Sequence, residues 1–198
     1  MFKRFNKKYN KYVYEIFAGE FFVTDESNIL IQTLLGSCVA VLLRDRHVKV
    51  FGLNHFMLPG EPKKNKDSNL LNSSDSRYGI NAMEQMINQM MKKGALRNHL
   101  EAKVFGGGKI IKNGLNNVAK NNIDFILEYL DMEEIPIRSQ DLGGINGRKI
   151  IIVPESFSVY VRKIKISKLG QDTINREKEL LSNTKKEKEK SGELTLFN

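Results

Sequence analysis

The feature that most constrains this chain is a pair of apolar, β-branched-rich runs on either side of a short charged turn. Val39-Ala40-Val41-Leu42-Leu43 leads into Arg44-Asp45-Arg46-His47, and Val48-Lys49-Val50-Phe51-Gly52-Leu53 follows. Runs of this kind read as the two strands of a hairpin buried on both faces. The first strand is entered through Leu35-Gly36-Ser37-Cys38, which holds the only cysteine of the 198 residues, and the second leaves through Asn54-His55-Phe56-Met57-Leu58-Pro59. With Arg46 and His47 as a two-residue loop, Asp45 pairs with Val48, and counting back seven steps places Cys38 opposite His55. Directly opposed side chains have Cβ atoms about 4.5–5.5 Å apart, within reach of a thiol–imidazole hydrogen bond. A nucleophilic cysteine needs such a base beside it. A slip of one residue would send the two side chains to opposite faces.

The rest of the chain reads as strands and two helices. Tyr12–Thr24 is a strand interrupted at Gly19, and Ile29–Leu34 is a further strand running into the Gly-Ser-Cys corner. Pro59–Ser76 is polar, with Leu70-Leu71 as its apolar exception, and has the length of a functional loop. A helix is expected over Arg77–Lys93, with Ile80, Met83, Ile87, Met90 and Met91 at helical spacing and Gly94 as its stop. A second is expected over Asn121–Met132, with Ile123, Ile126, Leu127 and Leu130 on its apolar stripe. Strands are expected at Glu101–Phe105, Ile135–Ser139, Arg148–Val153 and Ser158–Ile166. The fold class is therefore an α/β (α+β) layered sandwich, with mixed β-sheets flanked by two helices. Gly106-Gly107-Gly108-Lys109 lacks the spacing and hydroxyl of a phosphate loop, and reads as a tight strand exit that brings backbone close to the site.

Charge is distributed unevenly. The net charge is +9, but residues 1–11 carry five basic and no acidic side chains, and residues 162–198 carry ten basic and six acidic ones. The body between them is neutral, with 17 of each sign. Neither end contains a nucleic-acid-binding motif, so no nucleic-acid partner is expected. A lone cysteine excludes an internal disulfide and a cysteine-rich zinc site, which fits a reducing compartment. There is no apolar run long enough to cross a membrane and no signal-peptide pattern, so the expectation is a cytoplasmic protein without membrane insertion. Three parts are expected: a basic leader over 1–11, a folded domain over 12–166, and a charged, flexible tail over 167–198.

Several stretches, taken together, resemble the family of chemoreceptor glutamine deamidases called CheD. They are Gly19-Glu20, Thr33-Leu34-Leu35-Gly36-Ser37-Cys38-Val39, His55-Phe56-Met57-Leu58-Pro59, Arg77-Tyr78-Gly79, Ala102-Lys103-Val104-Phe105-Gly106-Gly107 and Asp141-Leu142-Gly143-Gly144 with Gly147-Arg148-Lys149. The resemblance implies a cysteine amidohydrolase that converts glutamine side chains of methyl-accepting chemotaxis receptors to glutamate. It implies a catalytic set of Cys38, His55 and Thr33, with backbone at Gly36 and Ser37 supporting the oxyanion. Some members carry the threonine six residues before the cysteine, where this chain has Gln32, so Gln32 is the alternative third position. No metal or other cofactor is implied, and a CheC-type phosphatase is a further implied partner. The competing readings are an adaptor that docks on receptors or on that phosphatase with little catalysis, and a receptor methylesterase. The tail lacks periodic apolar residues, so truncation before Gly170 is expected to leave the melting temperature nearly unchanged; a large fall would show that the tail packs on the domain.

Overall fold

The structure, a computed structural model, describes residues 1–58, 74–110, 118–165, 167, 175–176, 178–179 and 182–183. Among the described residues, ten strands and two long helices are laid out in three layers. One sheet has the order β1-β2-β4-β9-β10, formed by Phe2–Asn6, Lys11–Glu15, Ile29–Leu35, Gly147–Val153 and Ser158–Ile164. The other has the order β3-β6-β5-β7-β8, formed by Phe21–Thr24, Phe51–Phe56, Val39–Asp45, Leu100–Gly106 and Ile137–Leu142. Both are mixed: β2–β4 and β7–β8 are parallel pairs, and the other pairings are antiparallel. Helices α1 (Ser74–Lys92) and α2 (Val118–Met132) cover the second sheet only. This is the expected α+β sandwich, with the helices gathered on one side.

Alternation along the strands explains the two cores. In β5, Val39, Val41 and Leu43 face the helices and meet Met83, Met86, Ile87, Met90, Phe125 and Ile126. Ala40 and Leu42 point the other way, into a second core between the sheets with Ile29, Ile31, Leu35, Leu53, Ile150 and Ile152. A strand buried on both faces has no polar alternation to display, which is why β5 reads as a continuous apolar run.

The hairpin register differs from the two-residue-loop expectation. Ala40 lies opposite His55 and Leu42 opposite Leu53, so the pairing is displaced by two residues. The cause is Asp45. Its Oδ1 accepts the backbone N–H groups of His47 (2.7 Å) and Val48 (3.0 Å), its Oδ2 accepts that of Leu96 (2.9 Å), and its own N–H donates to the carbonyl of Val50 at 3.1 Å. The connection is therefore a longer Asp-capped loop. A shift of two preserves the face, so the side chains of Cys38 and His55 still point to the same side.

Three other boundaries differ. Residues 1–11 read as a basic leader, yet Phe2–Asn6 forms the edge strand β1, antiparallel to β2. The Lys3 ammonium lies 4.5 Å from the ring centroid of Tyr12, and Phe5 packs edge-on against Tyr12. On α2 the buried stripe is Val118, Asn121, Asn122, Phe125, Ile126, Tyr129 and Leu130, whereas Ile123 and Leu127 are half-buried. The stripe is rotated because two asparagines occupy it. Of the polar loop Pro59–Ser76, residues 59–73 lie outside the described residues, and its last three begin α1.

Asp45 is 3% exposed. Removing its carboxylate leaves three backbone donors without their acceptor, at roughly 1–3 kcal/mol for each group that water cannot reach. Asp45→Ala is therefore expected to lower unfolding free energy by about 3 kcal/mol in urea titration. A change below about 0.5 kcal/mol, the usual range of an ordinary surface substitution, would show that the loop does not depend on this cap.

Candidate active site

The Gly36-Ser37-Cys38 corner is where the chain crosses from β4 in one sheet to β5 in the other. Its three carbonyls are all held. Gly108 N–H donates to Gly36 O (2.8 Å), Gly107 N–H to Cys38 O (2.8 Å), and Asn122 Nδ2 to Ser37 O (3.0 Å). The glycines beyond β7 permit this close approach. Gly106 has a φ of +119°, and a Cβ there would lie 2.3 Å from the Cys38 carbonyl oxygen. Gly106-Gly107-Gly108 thus serves as the tight strand exit expected of it.

His55 sits near the end of β6 on the face between the sheets. Its backbone is clamped by Gly19-Glu20: His55 N–H donates to Glu20 O at 3.0 Å, and Gly19 N–H donates to His55 O at 2.8 Å. Its ring meets Thr33, which projects inward from β4 in the other sheet, with Thr33 Oγ1 and His55 Nδ1 2.8 Å apart. Thr33 shares the inward face with Ile31 and Leu35, so strand alternation turns Gln32 to the opposite face. Of the two candidate third positions, the structure therefore brings Thr33 to the histidine, and Gln32 faces away.

The hydrogen-bond arithmetic fixes the tautomer. A threonine hydroxyl has one proton. Thr33 donates it to the carbonyl of Ile16 at 2.6 Å. Its oxygen can then only accept from the ring, so Nδ1 carries the imidazole proton and Nε2 carries the lone pair. Nε2 is buried and has no hydrogen-bond partner among the described residues. Cys38, 0% exposed, lies on the same face one residue pair further along, diagonal to His55 and not directly across from it. The direct thiol–imidazole bond that the two-residue loop implied is accordingly not formed at Nε2.

Burial drives the His55 pKa down to about 4, against a smaller upward pull from the Glu20 carboxylate and the backbone at Ile16. The imidazole is neutral at physiological pH. A cavity of about 100 Å³ is lined by His55 together with Glu15, Ile16, Phe17, Ala18 and Leu34. Arg176, from the charged tail, also lines it, its guanidinium 4.7 Å from the Phe17 ring centroid. The cavity is narrow and more apolar than polar, and Cys38 is not among the residues that line it. Chemically, a thiol beside an imidazole whose lone pair is free and whose far nitrogen is tethered can carry out acyl transfer through sulfur.

No group of three or more metal-ligating side chains occurs among the described residues. No described helix is long and apolar enough to cross a membrane.

The site thus defines a two-sheet sandwich with a thiol, an imidazole and a hydroxyl gathered where the chain changes sheets. Comparison with known proteins gives the family. Residues 57–163 match the family model described as CheD chemotactic sensory transduction. A probable chemoreceptor glutamine deamidase CheD 1 of Shewanella oneidensis is 44% identical over 162 residues, covering 81% of this chain and 77% of that protein. One from Bordetella parapertussis is 42% identical over 161 residues, covering 81% and 74%. One from Methylobacillus flagellatus is 38% identical over 195 residues, covering 98% and 93%. The chain belongs to the CheD family. A crystal structure of the Bacillus licheniformis hypothetical protein YfiH matches at 10% identity and a TM-score of 0.37, over 61% of this chain and 49% of that one, a likeness too loose to carry an argument. Cys38, His55 and Thr33 all precede the stretch matched by the family model; the structure brings Thr33 into contact with His55 and places Cys38 on the same face of the sheet.

Asn122 holds the corner and had no role assigned from sequence, and Gly19-Glu20, one of the stretches carrying the family resemblance, clamps the His55 backbone. The signal for Asn122 was an amide inside an otherwise apolar helical stripe, a position where a polar side chain must be paired.

The His55 pKa has a consequence for stability. In the unfolded chain the imidazole titrates near 6.5, and in the folded chain near 4. Between these values the unfolded state binds a proton that the folded state does not. The His55 contribution is therefore complete above about pH 6.5 and is lost as pH falls toward 4, by roughly 3 kcal/mol in all. Replacing His55 by Asn should flatten the acid limb of the stability–pH curve by that amount, measured by urea unfolding from pH 7.5 to pH 4. Parallel curves for the two proteins would show that His55 does not titrate in this range.

Proposed function

We propose that this protein is a chemoreceptor glutamine deamidase, converting glutamine side chains of methyl-accepting chemotaxis receptors to glutamate with release of ammonia. Three relatives named for that activity, each matched over most of its length, support the reading. The observation that carries the chemistry is the Thr33–His55 contact, which leaves Nε2 as the ring nitrogen able to take a proton.

A primary amide is a poor electrophile with a poor leaving group, and sulfur divides its hydrolysis into two easier steps. The side-chain amide enters the cavity at His55. Cys38 Sγ attacks its carbonyl carbon while the thiol proton passes to His55 Nε2. A stable thiolate–imidazolium pair is disfavoured in the resting site, because an ordinary thiol titrates near 8.5 and this imidazole near 4. Proton transfer is therefore concerted with attack, when negative charge is already passing to the amide oxygen. The oxyanion is met by backbone N–H groups at the Gly36–Cys38 corner.

The same low pKa makes the imidazolium a strong acid in the next half-step. It protonates the amide nitrogen, the C–N bond breaks, and ammonia leaves. Nε2 then takes a proton from water, which attacks the thioester carbon. The C–S bond breaks, the proton returns to sulfur, and glutamate remains. Thr33 holds the ring throughout and keeps the proton on Nδ1. None of these steps calls for a metal or an organic cofactor. The adaptor reading has less to recommend it, since a docking surface has no use for a buried, unpartnered imidazole nitrogen. A CheC-type phosphatase is a further proposed partner, and a cytoplasmic setting is proposed with it.

The test is mass spectrometry of a purified receptor cytoplasmic fragment incubated with the protein. Deamidation makes target peptides slightly heavier, whereas methylesterase action makes them lighter. Cys38→Ala should abolish the mass gain while preserving the fold, and His55→Ala should lower the rate about as severely. Thr33→Ala should cost less, about 10-fold to 100-fold, because it frees the ring without removing a reacting group. Gln32→Ala, on the opposite face, should leave kcat nearly unchanged. Full activity in Cys38→Ala would exclude the mechanism, and a larger loss in Gln32→Ala than in Thr33→Ala would exchange their roles.

A further inference from the structure

We propose, resting on the deamidase reading, that Glu20 is a positioning residue for amide hydrolysis, its carboxylate ending a hydrogen-bonded chain that starts at the His55 ring and passes through Thr33 and the Ile16–Phe17 peptide. His55 Nδ1–H donates to Thr33 Oγ1 at 2.8 Å, and Thr33 donates to the Ile16 carbonyl at 2.6 Å. The N–H of Phe17 belongs to the same peptide as that carbonyl, and it donates to Glu20 Oε2 at 3.0 Å. The other carboxylate oxygen, Oε1, meets the amino group of Met1. Every donor in the chain points one way, from the imidazole toward the carboxylate. Ile16, Thr33 and His55 are each at most 2% exposed, so the inner links are kept from water.

Glu20 is itself held in place. Its N–H donates to the Phe17 carbonyl at 3.1 Å, closing a four-residue turn in which Gly19 adopts a φ of +85°. Its carbonyl accepts the His55 N–H at 3.0 Å. The residue therefore grips the histidine twice, at the backbone directly and at the ring through the chain. In a trans peptide the C=O and N–H lie in one plane and point opposite ways. A negative charge at the Phe17 N–H thus makes the Ile16 oxygen a stronger acceptor. That oxygen draws the Thr33 proton, and the threonine oxygen in turn holds the Nδ1 proton more firmly. Hydrogen bonds in series polarise one another in a low-dielectric interior. The effect emerges at Nε2, which becomes a better base toward the Cys38 thiol. The upward pull of the Glu20 carboxylate on the His55 pKa has the same sign. Glu15 and Arg176, which line the cavity beside the ring, act on it through space.

A double-mutant cycle separates the chain from a through-space field or a scaffolding role. Glu20→Gln keeps an oxygen for the Phe17 N–H and removes the charge. Full-length wild type, Glu20→Gln, Thr33→Ala and the double variant would be assayed by ammonia release from a receptor cytoplasmic fragment, with folding checked by circular dichroism. A general base contributes about 10²–10⁴-fold, so weakening one is expected to lower kcat about 10-fold in Glu20→Gln, with KM nearly unchanged. In the Thr33→Ala background, where the chain is already cut, the same substitution is expected to change kcat by less than about twofold. Equal losses in the two backgrounds, or kcat within about twofold of wild type in Glu20→Gln alone, would overturn the proposal. NMR supplies a reading without substrate at pH 7, where this imidazole is neutral. The His55 Nδ1–H resonance is expected to move upfield in Glu20→Gln, and an unmoved resonance would overturn the chain. Absence of ammonia release by the wild type, with that shift present, would overturn the deamidase reading and leave the chain established.

Discussion

One hydroxyl proton organises the site. Thr33 spends it on the carbonyl of Ile16, and that choice decides what the histidine across the sheet boundary can do. With the threonine proton committed, His55 must donate through Nδ1 and expose its lone pair at Nε2. A serine or threonine facing an imidazole without a carbonyl behind it could accept either tautomer. Here the backbone of the β2 exit settles the matter, so the orienting unit is three groups deep: carbonyl, hydroxyl and ring.

Burial adds the second constraint. A neutral imidazole with a pKa near 4 is a weak base and a strong acid. Such a group suits amide hydrolysis better than it suits holding a permanent thiolate. The demanding event with a primary amide is expulsion of nitrogen, which needs a proton delivered promptly. The cost falls on the first step, where thiol ionisation has to wait for the substrate. A thiol that is 0% exposed is also shielded from alkylation and oxidation.

How much of this was legible in the residues varied with the kind of information each feature needed. Cys38 and His55 sharing a face followed from strand periodicity alone, and it survived an error of two residues in the register because two is a full period. The error itself came from turn chemistry: Arg46-His47 offered a plain two-residue loop, while the Asp45 cap that recruits Leu96 depends on a segment fifty residues away. The choice between Thr33 and Gln32 was open in the sequence because either residue could face inward. Only the pairing of β4 with its neighbours tells which side is inside. Strand β1 was missed for a similar reason, since Lys3 and Arg4 give it the look of a solvated leader and an exposed edge strand has no apolar face to announce it. Asn122 was hidden because the apolar stripe of α2 was traced through Ile123, Ile126, Leu127 and Leu130, whereas the buried face runs through Asn121, Asn122, Phe125 and Ile126.

The crossing at Gly36-Ser37-Cys38 has an effect on how the molecule behaves as a whole. Cys38 and His55 belong to the side of one sheet and Thr33 to the other, with an apolar core between the layers. A site confined to a single sheet would ride along unaltered if the layers slid against each other. In this one, a shift of a fraction of an ångström between sheets lengthens the Thr33–His55 bond before any backbone ladder breaks. Under the proposed mechanism, the turnover rate is consequently a gauge of interlayer registry. A partner that gripped only the outer surface of the β1-β2-β4-β9-β10 sheet could adjust the chemistry without approaching a single reacting atom.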